Sequence, residues 1–259
     1  MRLVGSPASF TVTTELTLQT LTFVALGAFV GSLASGGLGF AFGTVGAAFW
    51  LHVLEPVHAT TLVVIGGTIV QVGTFWPLRR SLDRDRLWPF LAAGLAGIPI
   101  GVWLLVRTDA SVLKVALGAF IAFYGVYALA APTLPRIDGG GKLADAAIGL
   151  IGGILGGVGG YSGLVPAMWT QLRGWPKEVS RAVYQPFVLM AHAATLLLVG
   201  VVALDRLGRV FLICLIVAVP ALLAGGWMGW RLYGRLDERR FQQALAAMLV
   251  VSGVILVTS

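Results

Sequence analysis

Few residues in this 259-residue chain are equipped for chemistry inside an apolar segment, and they fall into a pattern. Gln185 and His192 lie seven positions apart, about two helical turns, and so stand near one helix face. Sliding the chain on itself by about 120 positions brings Gln71 within one place of His192. Tyr161 and Ser162 follow directly on a glycine cluster that includes Gly157, Gly159 and Gly160, and Thr44 stands near the equivalent place after Gly36, Gly37 and Gly39. Polar groups within long apolar runs are costly and are functional candidates by default. A helix broken at glycine frees backbone N–H groups, and the positive end of its dipole suits an anion. Arg181 either snorkels to lipid headgroups or points inward, where its guanidinium would pair with an anion.

Catalysis is the competing chemistry. Gly160-Tyr161-Ser162-Gly163 reads as G-x-S-G, and with His192 it superficially resembles the Ser/His dyad of rhomboid intramembrane proteases. Only 30 positions separate Ser162 from His192, which leaves no room for the full helix that intervenes in that family. The glycine-rich turn also has a repeat partner, which a protease does not require. The expectation is a binding protein without catalytic residues, metal ligands or cofactor.

The elements that position these residues follow from composition. With 58% hydrophobic and 11% charged residues, the chain cannot cover a water-soluble globule, and lipid must be its main solvent. Unbroken apolar runs without strand alternation predict an all-α integral membrane protein. Full spans are expected at 57–77, 87–106, 112–131, 179–204, 209–230 and 239–257. Segments 16–54 and 144–173 are apolar but interrupted by the glycine clusters, so each should be a pair of short, broken or re-entrant helices. The net charge of +7 comes from short Lys/Arg clusters between apolar runs and does not form a nucleic-acid-binding face. No signal-peptide pattern precedes the first apolar segment, which should be retained.

The 120-position offset aligns Gly36, Gly37, Gly39, Gly43 and Pro56 with Gly156, Gly157, Gly159, Gly163 and Pro176, and Asp85-Arg86-Leu87 with Asp205-Arg206-Leu207. Two repeats result, 1–131 and 143–259, joined by a loop at 132–142. Cytoplasmic loops collect Lys and Arg, and the bias alternates in opposite phase in the two halves. The loop at 51–60 has none where its counterpart holds Arg173, Lys177 and Arg181; the next holds Arg79, Arg80, Arg84 and Arg86 where its counterpart holds Arg206 and Arg209. Inverted-topology repeats give this, with both termini periplasmic. Matching breaks in inverted repeats are a transporter signature, with the site near the midplane.

On the residues Gly156, Gly157, Gly159 and Gly160, then Val165-Pro166, then Pro176-Lys177-Glu178, the chain resembles the sulfite exporter TauE/SafE family. A weaker copy comprises 36–46, Glu55-Pro56 and Ala59-Thr60-Thr61. The resemblance implies a bacterial inner-membrane permease for sulfite or a small organosulfonate. Export is the leading direction, with uptake, or a channel for another small anion, as alternatives. Its partners would be that anion and membrane lipid; a homodimer is one option for its assembly. Arg181 departs from the family pattern, which has small residues after Pro-Lys-Glu, and leaves the choice of anion open.

Overall fold

The protein is described by a computed structural model covering residues 16–38, 41–75, 83–130, 136–137, 139–232 and 238–258. The described residues form ten α-helices in two runs of five. The first run is α1 (Leu18–Leu38), α2 (Phe42–Trp50), α3 (Pro56–Phe75), α4 (Arg84–Arg107) and α5 (Ala110–Ala130); the second is α6 (Gly141–Gly159), α7 (Leu164–Leu172), α8 (Lys177–Val202), α9 (Arg209–Leu232) and α10 (Glu238–Thr258). Each run reads long, short, long, long, long. Six helices are long and apolar enough to cross a bilayer by length and composition. Each expected broken pair is one full-length helix followed by a nine-residue return, rather than two short pieces.

Local chemistry sets these boundaries. Pro56 opens α3 at the position where a missing N–H costs nothing. Asp83 caps α4 by accepting from Arg86 N at 3.2 Å, and its carboxylate pairs with the Arg86 guanidinium at 3.0 Å. Asp109 Oδ1 accepts from Ser111 N at 2.8 Å at the start of α5. Gly160, with φ of +75°, ends α6: its N–H returns to Gly156 O, and that of Tyr161 returns to Leu155 O. This closure uses the left-handed conformation that glycine adopts without strain.

The short helices fold back on the long ones that precede them. Trp50 Nε1 donates to Val24 O at 3.1 Å, pinning the end of α2 to the start of α1. Trp169 Nε1 donates to the buried Asp145 at 2.7 Å, holding α7 against α6 in the same manner.

Small residues set the helix pairing, as expected where lipid competes with apolar packing. α4 and α6 run parallel, and Gly94, Gly97 and Gly101 face Gly149, Gly153 and Gly157. A Cβ on Gly149 would lie 2.5 Å from Phe90 O, and one on Gly157 2.5 Å from Ile98 O, so the backbones touch. α9 runs parallel to α1, with Gly225 against Phe29 and Gly229 against Leu33. Two pairs of corresponding helices, α3 with α8 and α5 with α10, are antiparallel. In α5 and α10, Gly118 meets Leu256 while Gly125 meets Val250; in α3 and α8, His58 bonds Arg206 O at 2.8 Å while Gly67 meets His192. This crossed arrangement is consistent with inverted repeats.

Candidate functional site

α2 and α7 begin at the middle of the molecule, where the two chain breaks meet. A Cβ on Gly43, in the first turn of α2, would lie 3.0 Å from Gly160 O and 3.1 Å from Val63 Cγ1. Beside this contact is a cavity of about 20 Å³, room for about one water. Its walls come from five places: Ser35 of α1, Phe42, Gly43 and Thr44 of α2, Gly67, Val70 and Gln71 of α3, Gly160, Tyr161, Gly163 and Leu164 of the second break, and Val188 and His192 of α8.

Neither short helix carries a side-chain cap at its start. The first-turn N–H groups of an α-helix have no intrahelical partner, and their dipoles add to a partial positive charge. In α2 the first i−4 bond is Val45 N to Ala41 O, so Phe42, Gly43 and Thr44 precede it. In α7 it is Ala167 N to Gly163 O; Leu164 N–H turns back to Tyr161 O and Pro166 has none, which leaves Val165 as the first-turn donor. The starts of α2 and α7 therefore converge on one space, where α6 also ends at Gly160.

The side chains add unpaired polar atoms. Ser35 Oγ, Thr44 Oγ1 and His192 Nε2 have no hydrogen-bond partner, although their residues are only 1%, 0% and 3% exposed. A buried polar group without a partner costs about 1–3 kcal/mol, so such a cluster marks a place where something else supplies the bonds. His192 Nδ1 lies 3.4 Å from Thr68 Oγ1, and Gly67 gives the imidazole its room: a Cβ there would lie 2.6 Å from Cε1. Tyr161 is buried and tilted against Phe120 at 5.8 Å between ring centroids.

Of the residues singled out in the sequence, Thr44, Gln71, Gly160, Tyr161 and His192 line the cavity. Gly36 and Gly37 lie within the last turns of α1, and Gly39 lies outside the described residues. Gly157 serves the α4 contact and Gly159 packs over the Tyr161 ring. Ser162 is fully buried against Gly156, and its Oγ has no partner. The G-x-S-G serine and His192 are thus not hydrogen-bonded to each other. Gln185 is also fully buried, with neither amide atom partnered, outside the cavity wall. Arg181 is half-buried beside Tyr184, nearer the start of α8.

Arg181, Gln185, Val188, His192 and Thr195 follow spacings of four and three along α8, so they form one stripe running inward from its start. Ser35, Gly67 and Thr195 were missed in the sequence. Ser35 had a signal, a hydroxyl directly before the first glycine cluster. Gly67 sits four residues before Gln71 on the same face, and Thr195 three after His192.

Neither the curated proteins nor the solved structures contain a match to this chain. A family model does match, Sulfite exporter TauE/SafE, over residues 23–256, from within α1 to the last turn of α10, and this takes in every residue lining the cavity. The chain is therefore a multi-pass membrane protein belonging to the sulfite exporter TauE/SafE family.

Proposed function

We propose that the protein exports sulfite or a small organosulfonate across the bacterial inner membrane, using the cavity between the two breaks as its anion site. The observation that carries this reading is the convergence of two uncapped helix ends and three unpaired polar atoms on one enclosed space. Such a site replaces the water around an anion with fixed N–H and O–H donors. Thr44, Gln71, Gly160, Tyr161 and His192 belong to its described wall, and Gly36 and Gly37 lie in the last turns of α1, just before the break that precedes α2.

Two inverted repeats, 1–131 and 143–259, give the architecture its means of alternating access. The antiparallel course of α3 with α8 and of α5 with α10 supports this relation. At one end of the bundle, His58 meets Arg206 and His52 meets Ser252; at the other, the Arg86 guanidinium lies 4.8 Å over the Trp175 ring. The second end carries ten described Lys and Arg (Arg84, Arg86, Arg136, Lys142, Arg173, Lys177, Arg181, Arg231, Arg239 and Arg240) against four at the first (Arg107, Lys114, Arg206 and Arg209). The cytoplasm belongs at the second end and both termini at the periplasmic end.

Export needs no coupled ion. With the cytoplasm negative, each negative charge that leaves gains about 2.3 kcal/mol per 100 mV. Counterflow of labelled sulfite in proteoliposomes tests the reading. Accumulation against unlabelled sulfite, saturable and accelerated by a potential that drives anions in the export direction, is expected; flux that never saturates would indicate a channel.

A further inference from the structure

The starts of α4 and α6 leave a second opening, on the outside of the molecule and apart from the cavity between the breaks. The two parallel helices touch backbone to backbone from Phe90 and Gly149 inward. Toward their starts the small residues run out: no glycine lies between Gly141 and Gly149 or between Arg84 and Gly94, so side chains hold the helices apart. Arg84 stands six residues before Phe90 and Lys142 seven before Gly149, so the two cations come level at the mouth of the pair. The groove they line has a volume of about 440 Å³ and an apolar floor of Leu87, Trp88 and Leu91.

Charge in this groove is unbalanced. Arg84 and Lys142 line it against Asp85 alone, and among the described residues none of the three has an ion-pair partner. The neighbouring acids are engaged elsewhere, Asp83 by Arg86 and Asp145 by Trp169, and neither lines the groove. Every lining residue belongs to the opening turns of α4 or α6, so the helix ends that meet there are both positive. Exposed apolar groups stand at the same level: Trp88 is 68% exposed, and Leu143, next to Lys142, is 84% exposed. Two turns further in, Leu95 on α4 and Ile151 on α6 are exposed as well, so an apolar track continues inward from the groove. Cations and an exposed indole side by side mark the boundary between headgroups and hydrocarbon.

We propose that the groove is a binding site for one anionic phospholipid, with its phosphodiester between Arg84 and Lys142 and its acyl chains along Trp88 and Leu95. A phosphodiester carries one negative charge, which the single net positive charge of the wall offsets. Its oxygens accept hydrogen bonds from the guanidinium fork and the ammonium. A soluble anion makes no use of the apolar floor, and a zwitterionic lipid brings an ammonium that Arg84 and Lys142 repel. The inference needs only the chain's membrane placement, so it stands or falls separately from the identity of the transported anion.

The test is phosphatidylglycerol binding to delipidated protein in detergent, followed one lipid at a time by native mass spectrometry, with phosphatidylcholine as the zwitterionic comparison. The parent should bind its first phosphatidylglycerol at least about tenfold more tightly than phosphatidylcholine, and Arg84→Gln with Lys142→Gln should remove that preference. Arg206→Gln with Arg209→Gln takes the same charge from the opposite end of the bundle and should leave the preference intact. Asp85→Asn, which removes the one opposing charge, should strengthen it, a gain that misfolding does not produce. Equal binding of the two lipids by the parent, equal loss in the two double variants, or no gain in Asp85→Asn would each overturn the proposal. Glycerophosphoglycerol, the same headgroup without acyl chains, should not displace the lipid at equal concentration; displacement would make the groove a site for a soluble phosphodiester and overturn the lipid assignment.

Discussion

Replacing Thr44 by Val should make the protein more stable and a worse binder. The Thr44 side chain is fully buried, and its hydroxyl has no hydrogen-bond partner. That unsatisfied group costs about 1–3 kcal/mol in the unliganded protein, and Val removes it while keeping nearly the same volume and helix propensity. The unfolding free energy should therefore rise by about 1 kcal/mol or more. With the anion present the sign reverses, because a hydrogen bond to a charged group contributes about 1.5–3 kcal/mol, and its loss should weaken affinity about ten- to hundredfold. The two effects are read separately, by thermal unfolding of detergent-solubilised protein without ligand and by calorimetric titration with sulfite. A lower melting temperature would mean that the hydroxyl has a structural partner after all. Unchanged affinity with raised stability would mean that the cavity is not the anion site.

Three further outcomes follow from the geometry. Gly160→Ala must place a Cβ in the left-handed region and against Val63, at a cost of more than about 1 kcal/mol; thermal unfolding should record the loss, and an unchanged melt would contradict the described turn. Cysteine at Gly139 should label only from the cytoplasm and at Asp205 only from the periplasm, in a background where the sole native Cys214 is buried; labelling of both from one side would refute the opposite-end placement of these loops. Arg181→Lys should weaken sulfonate binding at least tenfold if the guanidinium meets the anion on its way in, since an ammonium cannot reproduce the forked pairing; parental affinity would make Arg181 a headgroup anchor.

The helices were readable because apolar length dominates in lipid. The spans expected at 87–106 and 209–230 correspond to Arg84–Arg107 and Arg209–Leu232, with polar ends setting the small differences. The breaks were readable only in outline. Within 152–160, six glycines compete for the role of helix breaker, and periodicity alone does not single one out. Gly153 and Gly157 face α4, where the neighbouring backbone excludes any side chain, and so remain helical; Gly160 alone among them takes a positive φ. The same division explains the site. Gln71 and His192 stood out as polar residues at equivalent places, whereas Gly67 carries no distinguishing chemistry until the fold brings α3 to the breaks.

The crossed pairing of first and fourth helices bears on how such a chain is assembled. α1 finds its parallel partner in α9, and α6 finds its partner in α4, so each half covers the opening helix of the other. Neither half of the chain can therefore complete these two contacts alone. During synthesis α1 meets α2 early, but its pairing with α9 waits until nearly the whole chain has followed it. A chain cut short before α9 would leave the Phe29 and Leu33 face of α1, held on its other side by α2 through Trp50 and Val24, without the helix that covers it.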